Sequence, residues 1–328
     1  MGVYFSVIVA VARDEIRDCL NSLRNQSFPA EQYEILLVGE RIQEEGGNVR
    51  FIEVRSNNPC LKRNRGAEEA RGEILGFIDD DAQAPGDWLE KARMIFQHNP
   101  GVAGVGGANL IPGESSRKER LTDLILRSRF LGSGHRTYSG EPGGEAGETK
   151  IGQIHLSNFF VQKECWESIG GFNPGIGYGG EDSEFVFIGR KKYGLKFLYH
   201  PDLIVFHHRR EFGYEYLKQR FLLRRNNGRL LLIYPRMYLS NPLFTSGFLL
   251  LTFWLILSIF VHSFLLAGLL LYFLFFILYS IWVQRGRQEK FWFLPLAFFL
   301  HHLTYYLGIW AGLLSVFKFS KLKRLRRV

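Results

Sequence analysis

Short apolar runs alternate with stretches of helical spacing through the first quarter of the chain. Ser6-Val7-Ile8-Val9-Ala10-Val11 is a β-branched apolar run that predicts a strand, and residues 16–23 then switch to the spacing of an amphipathic helix. The same alternation returns with apolar runs at 34–38, 49–54 and 74–78, the last preceded by a helix-compatible stretch over 61–70. Strands that alternate with helices predict an α/β fold with a doubly wound, mostly parallel sheet. Strands this apolar fit a sheet covered on both faces. Residues 131–151 are too rich in glycine and polar side chains for a packed element and read as a long loop, either a lid or a disordered segment.

From Pro242 onward the pattern changes. Residues 244–261 and 264–283 carry almost no charge and are separated by His262-Ser263, which predicts a transmembrane hairpin over 244–283, because about 20 apolar residues cross a bilayer. A soluble apolar core is the competing reading. A basic loop follows at 284–290, then a third apolar segment at 291–316. Pro295, His301, His302, Tyr305 and Tyr306 make that segment a poor simple span, so it is expected to be embedded rather than to cross. The expected organisation is an α/β domain over 1–235 and a membrane-embedded helical region over 236–328 that ends in a basic tail.

Charge sharpens this picture. The 328 residues carry a formal net charge of +9, which can serve nucleic acid, an anionic membrane or a phosphorylated substrate. Lys318, Lys321, Lys323, Arg324, Arg326 and Arg327 crowd directly after the last apolar segment, the placement of a juxtamembrane anchor, so a membrane outranks nucleic acid as partner. Cys19, Cys60 and Cys165 are odd in number and widely spaced, which favours a reducing compartment over a disulfide framework. The first residues lack the basic-then-apolar pattern of a secretory signal, so the α/β domain is expected on the cytoplasmic side of the cell membrane.

Candidate chemistry sits at strand ends. Asp79-Asp80-Asp81 follows the run at 74–78, so carboxylates emerge at the carboxyl edge of the sheet, where ligands of such sheets bind. Asp79 and Asp81 point the same way if strand geometry continues, giving an oxygen-rich site for a hard cation such as Mn2+ or Mg2+. A solvated turn is the plain alternative. Glu181-Asp182 follows Gly179-Gly180 at a predicted helix start, where acidic residues are favourable simply through the helix dipole. His207 and His208 follow another apolar strand, and a neutral imidazole can complete a carboxylate metal site.

Taken in order, these features resemble the family 2 glycosyltransferases of the GT-A fold from about Ser6 to Gly228. The opening strand and turn through Glu15, the helix around Cys19–Ser27, the basic turn Pro59-Cys60-Leu61-Lys62-Arg63-Asn64-Arg65-Gly66 and the stretch from Gly72 to Ala82 are similar to that family's donor half. Leu156-Ser157-Asn158-Phe159, Ile169-Gly170-Gly171-Phe172 and Gly179-Gly180-Glu181-Asp182 resemble its acceptor half. The resemblance implies an inverting transferase with a nucleotide-sugar donor, and the expected membrane segment beside it favours a lipid-linked, saccharide or other membrane-proximal acceptor in cell-surface polysaccharide or glycolipid assembly. It implies donor contacts from Ala10, Ala12, Arg13, Glu15, Glu40, Arg63, Asn64, Asp79 and Asp80. Metal ligation would come from Asp79, Asp81 and His207, and acceptor contacts from Asn158, Gly180 and Glu181. Asp182 would be the catalytic base, since a carboxylate can take the proton of an attacking hydroxyl. His207 can equally be a structural or acceptor-contacting residue.

Two departures matter. Val38-Gly39-Glu40 stands where the family has adjacent acidic residues, which leaves the nucleotide base open, and Gln219-Arg220-Phe221-Leu222-Leu223 lacks the Arg-Trp pair of processive members, so transfer of a single sugar is favoured. The basic, aromatic stretch with Arg209, Arg210, Arg220, Arg224 and Arg225 is expected along a membrane surface or on a phosphate. The alternatives are transfer to a polyprenyl phosphate and a non-catalytic nucleotide-sugar-binding membrane scaffold.

Overall fold

A computed structural model of the chain describes residues 2–40, 44, 46–128, 137–138, 140, 146–149, 153–176, 179–239, 252–253, 256–257 and 262–315. The strands are β1 (Phe5–Ala10), β2 (Tyr33–Gly39), β3 (Val49–Glu53), β4 (Ile74–Ile78), β5 (Ala82–Gln83), β6 (Val102–Leu110), β7 (Gly147–Glu148), β8 (Phe159–Gln162) and β9 (Lys196–His207). They form one sheet in the order β3-β2-β1-β4-β8-β6-β9-β5, with β7 beside β9.

The first four strands pair in parallel, as the alternation of strand and helix requires. Helix α1 (Arg17–Arg24) follows β1, and α2 (Pro59–Glu69) precedes β4. The Asn58 side chain accepts a hydrogen bond from the Cys60 amide at 2.9 Å, and Pro59 occupies the first turn, which fixes where α2 starts. Alternate strand residues serve opposite faces. Val7, Val9, Ile35 and Leu37 pack with α1 and α3 (Trp88–His98), while Ile8, Leu36, Val38 and Phe77 pack with α2, α5 (Lys163–Ile169) and α6 (Glu181–Tyr193).

The second half corrects the expected mostly parallel sheet. β8 runs antiparallel between β4 and β6, and β5 and β7 each pair antiparallel with β9, so the sheet is mixed. The reason lies in β6, Val-Ala-Gly-Val-Gly-Gly-Ala-Asn-Leu, whose three glycines dilute its apolar signal, and in β8, only four residues long.

Beyond the sheet stand α4 (Arg117–Arg127), α7 (Tyr214–Ile233), the short α8 (Pro235–Leu239), α9 (His262–Val283) and α10 (Leu294–Ser315). Leu121, Leu124 and Ile125 of α4 share a core with Phe276, Tyr279, Leu294 and Phe298, so α9 and α10 are docked on the α/β body. Arg120 pairs with Glu289 at 2.7 Å across the same junction. Among the described residues, no helix is long and apolar enough to cross a membrane. Most of the first half of the hairpin expected at 244–283, and all of the basic tail, lie outside the described residues, as does most of the loop expected at 131–151. The third segment is a helix whose polar residues face protein: His301 is buried and shares a 2.8 Å hydrogen bond with the Tyr216 hydroxyl.

Helices α7 and α10 cross at glycines. A Cβ on Gly312 would lie 2.1 Å from the Arg225 carbonyl oxygen, and one on Gly228 would lie 2.2 Å from that of Ile309. No rotamer change relieves a clash with backbone, so Gly312→Leu is expected to destabilise the chain by about 1–3 kcal/mol or more. A lowered Tm of the full chain would show this; unchanged melting would mean that α10 does not dock here.

Candidate active site

The site begins where β4 ends. Strand geometry delivers Asp79-Asp80-Asp81 at the sheet edge, and β5 then pairs with β9 in a register that sets Ala82 opposite His207. His207 Nε2 therefore lies 2.9 Å from Asp81 Oδ1. Single donor atoms from Asp79, Asp81 and His207 all lie within 4.8 Å of one another, the one such group among the described residues. Two carboxylates and an imidazole, each half-buried, form a donor set that suits Mn2+ or Mg2+ with positions left for phosphate oxygens.

Electrostatics prepare this edge. Burial alone would push the Asp81 carboxyl upward, but His207 and then Arg13 outweigh it and hold Asp81 below the usual carboxylate range. The Arg13 guanidinium, more than half exposed, sits on Asp81. Asp80 serves differently. It is buried, and one carboxylate oxygen accepts hydrogen bonds from the Ala12 and Arg13 amides at 2.6 and 3.0 Å, tying the turn after β1 to the acidic triplet.

The second acidic cluster opens α6. Gly179 and Gly180 adopt φ of +86° and +99°, a left-handed turn that side chains disfavour and that aims the first turn of α6. Arg63 joins the two clusters: its buried guanidinium donates to Asp79 at 2.8 Å and to Glu181 at 3.2 Å. The metal-type group and the start of α6 are thus neighbours bridged by one guanidinium. Burial, with Glu181 adding to it, pushes the Asp182 carboxyl up to about 7. A carboxylate poised near neutrality is matched to proton abstraction.

The other candidate residues divide into two groups. Ala10 closes β1; Ala12, Glu15 and Glu40 are exposed around the same rim, with Glu15 bonded to Arg17 at 2.7 Å. Asn64 and Asn158 are occupied by protein. The Asn64 amide makes two hydrogen bonds to the backbone of Phe172, at 2.8 and 2.9 Å. Asn158 is buried, accepts from the Trp88 indole at 3.0 Å and donates to the Ala108 and Leu203 carbonyls. These bonds tie α2 to the segment before α6, and the start of β8 to α3, β6 and β9. Lys62 was not singled out from sequence, yet it is buried with Nζ 2.5 Å from the Val11 carbonyl, beside the donor turn. Its position next to Arg63 in the basic turn is the only signal. His208 lies off the metal group, 2.9 Å from Glu119.

Comparison with known proteins agrees with this geometry. Residues 6–144 match the family described as Glycosyl transferase family 2. The chain is 26% identical over 237 residues to the glycosyltransferase AglE of Haloferax volcanii, an alignment that covers 66% of this chain and 71% of AglE. It is 26% identical over 146 residues to the glucosyl-dolichyl phosphate glucuronosyltransferase of the same organism, covering 43% of this chain and 44% of that protein. Among solved structures, a mannosyltransferase of Pyrobaculum calidifontis, determined with GDP-Man and Mn2+, superimposes with a TM-score of 0.56 at 14% identity, over 93% of this chain and 87% of the other. At that identity the likeness concerns the fold, a mixed α/β sheet consistent with GT-A.

Proposed function

We propose that the chain, whose residues 6–144 match glycosyl transferase family 2, acts as such a transferase and moves one sugar from a nucleotide-sugar to a lipid-linked or saccharide acceptor with inversion at the anomeric carbon. The observation that supports the proposal is Arg63, which holds Asp79 and Glu181 on one guanidinium and so keeps the two acidic clusters close together. Asp182 takes the proton of the acceptor hydroxyl while that oxygen bonds to the anomeric carbon. The bond from that carbon to the nucleoside diphosphate breaks on the opposite face, which inverts the centre. A divalent cation on Asp79, Asp81 and His207 would supply charge neutralisation for the departing diphosphate. Arg13 occupies Asp81 meanwhile, so cation binding and the Arg13 pair compete. Asp80 positions Ala12 and Arg13 at the donor rim.

The acceptor reading draws on two supports. One relative's name specifies a glucosyl-dolichyl phosphate substrate. In addition, α9 exposes Leu270, Leu271, Phe275, Leu278, Ile281 and Trp282, a contiguous apolar face of the kind that marks an interaction surface. We propose that this face rests against the cytoplasmic side of the cell membrane, in surface polysaccharide or glycolipid assembly.

The test is a panel of UDP-, GDP- and dTDP-sugars offered to purified full-length chain with manganese and membrane lipid extract. One donor is expected to be consumed, giving a glycosylated product whose anomeric configuration is opposite to the donor's by proton NMR. Retained configuration would overturn the single displacement; no consumption of any donor under these conditions would overturn the transferase assignment to this acceptor class.

A further inference from the structure

Helix α7 carries a row of arginines that the reaction described above does not use. Among its 20 residues Glu215 is the only acid, and it lies near Arg210 and Lys218 at about 4 Å. Arg220, Arg224 and Arg225 have no carboxylate within 4.0 Å among the described residues, and the single side-chain contact of the three with an acceptor is Arg220 to the Gln219 amide oxygen at 3.4 Å. Their Nε atoms are buried without hydrogen-bond partners. Buried donors are normally satisfied, so three neighbouring exceptions among the described residues suit an acceptor supplied by a ligand.

Aromatic rings hold these guanidinium groups in place. Arg220 lies over Tyr216 at 5.4 Å and Arg224 over Tyr305 at 4.0 Å. Arg209, outside α7, lies over Tyr138 at 4.7 Å in the same way. Arg209 is paired with Asp123 at 3.6 Å; its neighbours along α7 are not so compensated.

The row also lies beside the acceptor half of the cleft. Residues 220, 223, 224 and 227 fall on one stripe of a helix. Leu223 is packed against Gly179, and Leu230 against Gly180, the turn that presents Asp182. Donor diphosphate belongs to the other side, at Asp79, Asp81 and His207. An anion received by α7 therefore belongs to the acceptor. Guanidinium forks set at i, i+4 and i+5 suit the several oxygens and multiple charge of a phosphate better than one carboxylate. The row borders the crossing with α10, where Arg224 lies over Tyr305 and a Cβ on Gly308 would meet the Arg224 Cβ, so an apolar tail attached to that phosphate would meet the apolar residues of α10.

We propose that Arg220 and Arg224, with Arg225 beside them, bind the phosphate of a phosphate-bearing lipid acceptor and hold it next to Asp182. This rests on the glycosyl-transfer reading above. The probes are farnesyl phosphate, farnesol, inorganic phosphate and phosphatidylglycerol vesicles, each titrated into the full-length chain in detergent, with manganese-dependent nucleotide-sugar binding measured in parallel. The native chain is expected to bind farnesyl phosphate about tenfold or more tighter than farnesol and than inorganic phosphate. Arg220→Gln and Arg224→Gln should each remove most of that preference and leave donor affinity within about twofold. Arg224→Lys, which keeps the charge and loses the fork, should retain part of it and stands in if a glutamine variant fails to fold, as judged by melting.

A preference for farnesyl phosphate that survives the double glutamine variant overturns the proposal. So does displacement of farnesyl phosphate by phosphatidylglycerol vesicles at matched phosphate, which would assign the row to bilayer headgroups, or equal binding of inorganic phosphate, which would remove the lipid. Absence of donor binding in the native chain would instead overturn the glycosyl-transfer reading and leave the phosphate preference legible on its own.

Discussion

Asp182→Asn is expected to lower transfer about a thousandfold while leaving manganese-dependent donor binding intact, because general-base catalysis contributes roughly 10²–10⁴-fold and the substitution removes only the proton acceptor. The pH dependence follows from the raised carboxyl of Asp182, pushed up to about 7 chiefly by burial. The ionised form is the active base, so kcat/KM of the native enzyme should rise with pH and level off above about 7. The consequence for folding has the opposite sign. A carboxyl that titrates higher in the folded than in the unfolded chain binds more protons when folded. Stability is therefore lost as pH rises from the ordinary aspartate range through about 7, and the loss is complete above it. Asp182→Asn should consequently melt no lower than the native chain at pH 8 despite its inactivity. Retention of transfer activity would remove Asp182 as base, and a sharp fall in Tm at pH 8 would contradict the assigned electrostatics.

Asp81→Ala should abolish metal-dependent donor binding. The carboxylate is one of three donors in the group, and its loss leaves Asp79 and His207 without the residue that lies 2.9 Å from the imidazole. Loss even of an outer partner of a metal ligand commonly costs 10–100-fold in affinity, so removal of a direct ligand should weaken manganese binding by at least about a hundredfold. Titration with Mn2+ followed by its EPR signal, with and without nucleotide-sugar, separates this from misfolding, because the metal-independent part of donor binding should persist. Unchanged manganese affinity would reject Asp81 as a ligand and leave its contact with Arg13 as its role.

Much of the donor half was legible because its physics is local. β1, β2, β3 and β4 are short apolar runs bounded by polar turns, and the structure places them within a residue or two of those runs. Asp79 and Asp81 were readable from strand geometry, but their grouping with His207 rested on resemblance, since the pairing of Ala82 with His207 joins residues 125 apart and leaves no trace in spacing. Asn64 and Asn158 show the reverse difficulty. Their side chains look like ligand contacts in a one-dimensional reading, and only the fold reveals that Phe172, Trp88, Ala108 and Leu203 already use them. The mixed sheet was hidden by the glycines of β6 and the brevity of β8. At the carboxyl end, hydropathy alone could not distinguish an apolar helix facing lipid from one docked on α4 and α7; His301 against Tyr216 and the glycine crossing at Gly228 and Gly312 are tertiary facts.

The central claim is that a cation-binding edge and a basic carboxylate face each other across one cleft joined by Arg63. Anomalous scattering at the manganese absorption edge, from crystals of the chain grown with Mn2+ and the nucleotide-sugar it consumes, tests it most directly. The predicted result is a single strong peak among Asp79, Asp81 and His207, with the sugar's anomeric carbon between that peak and the Asp182 carboxylate. A peak elsewhere, or a sugar directed away from Asp182, would contradict it.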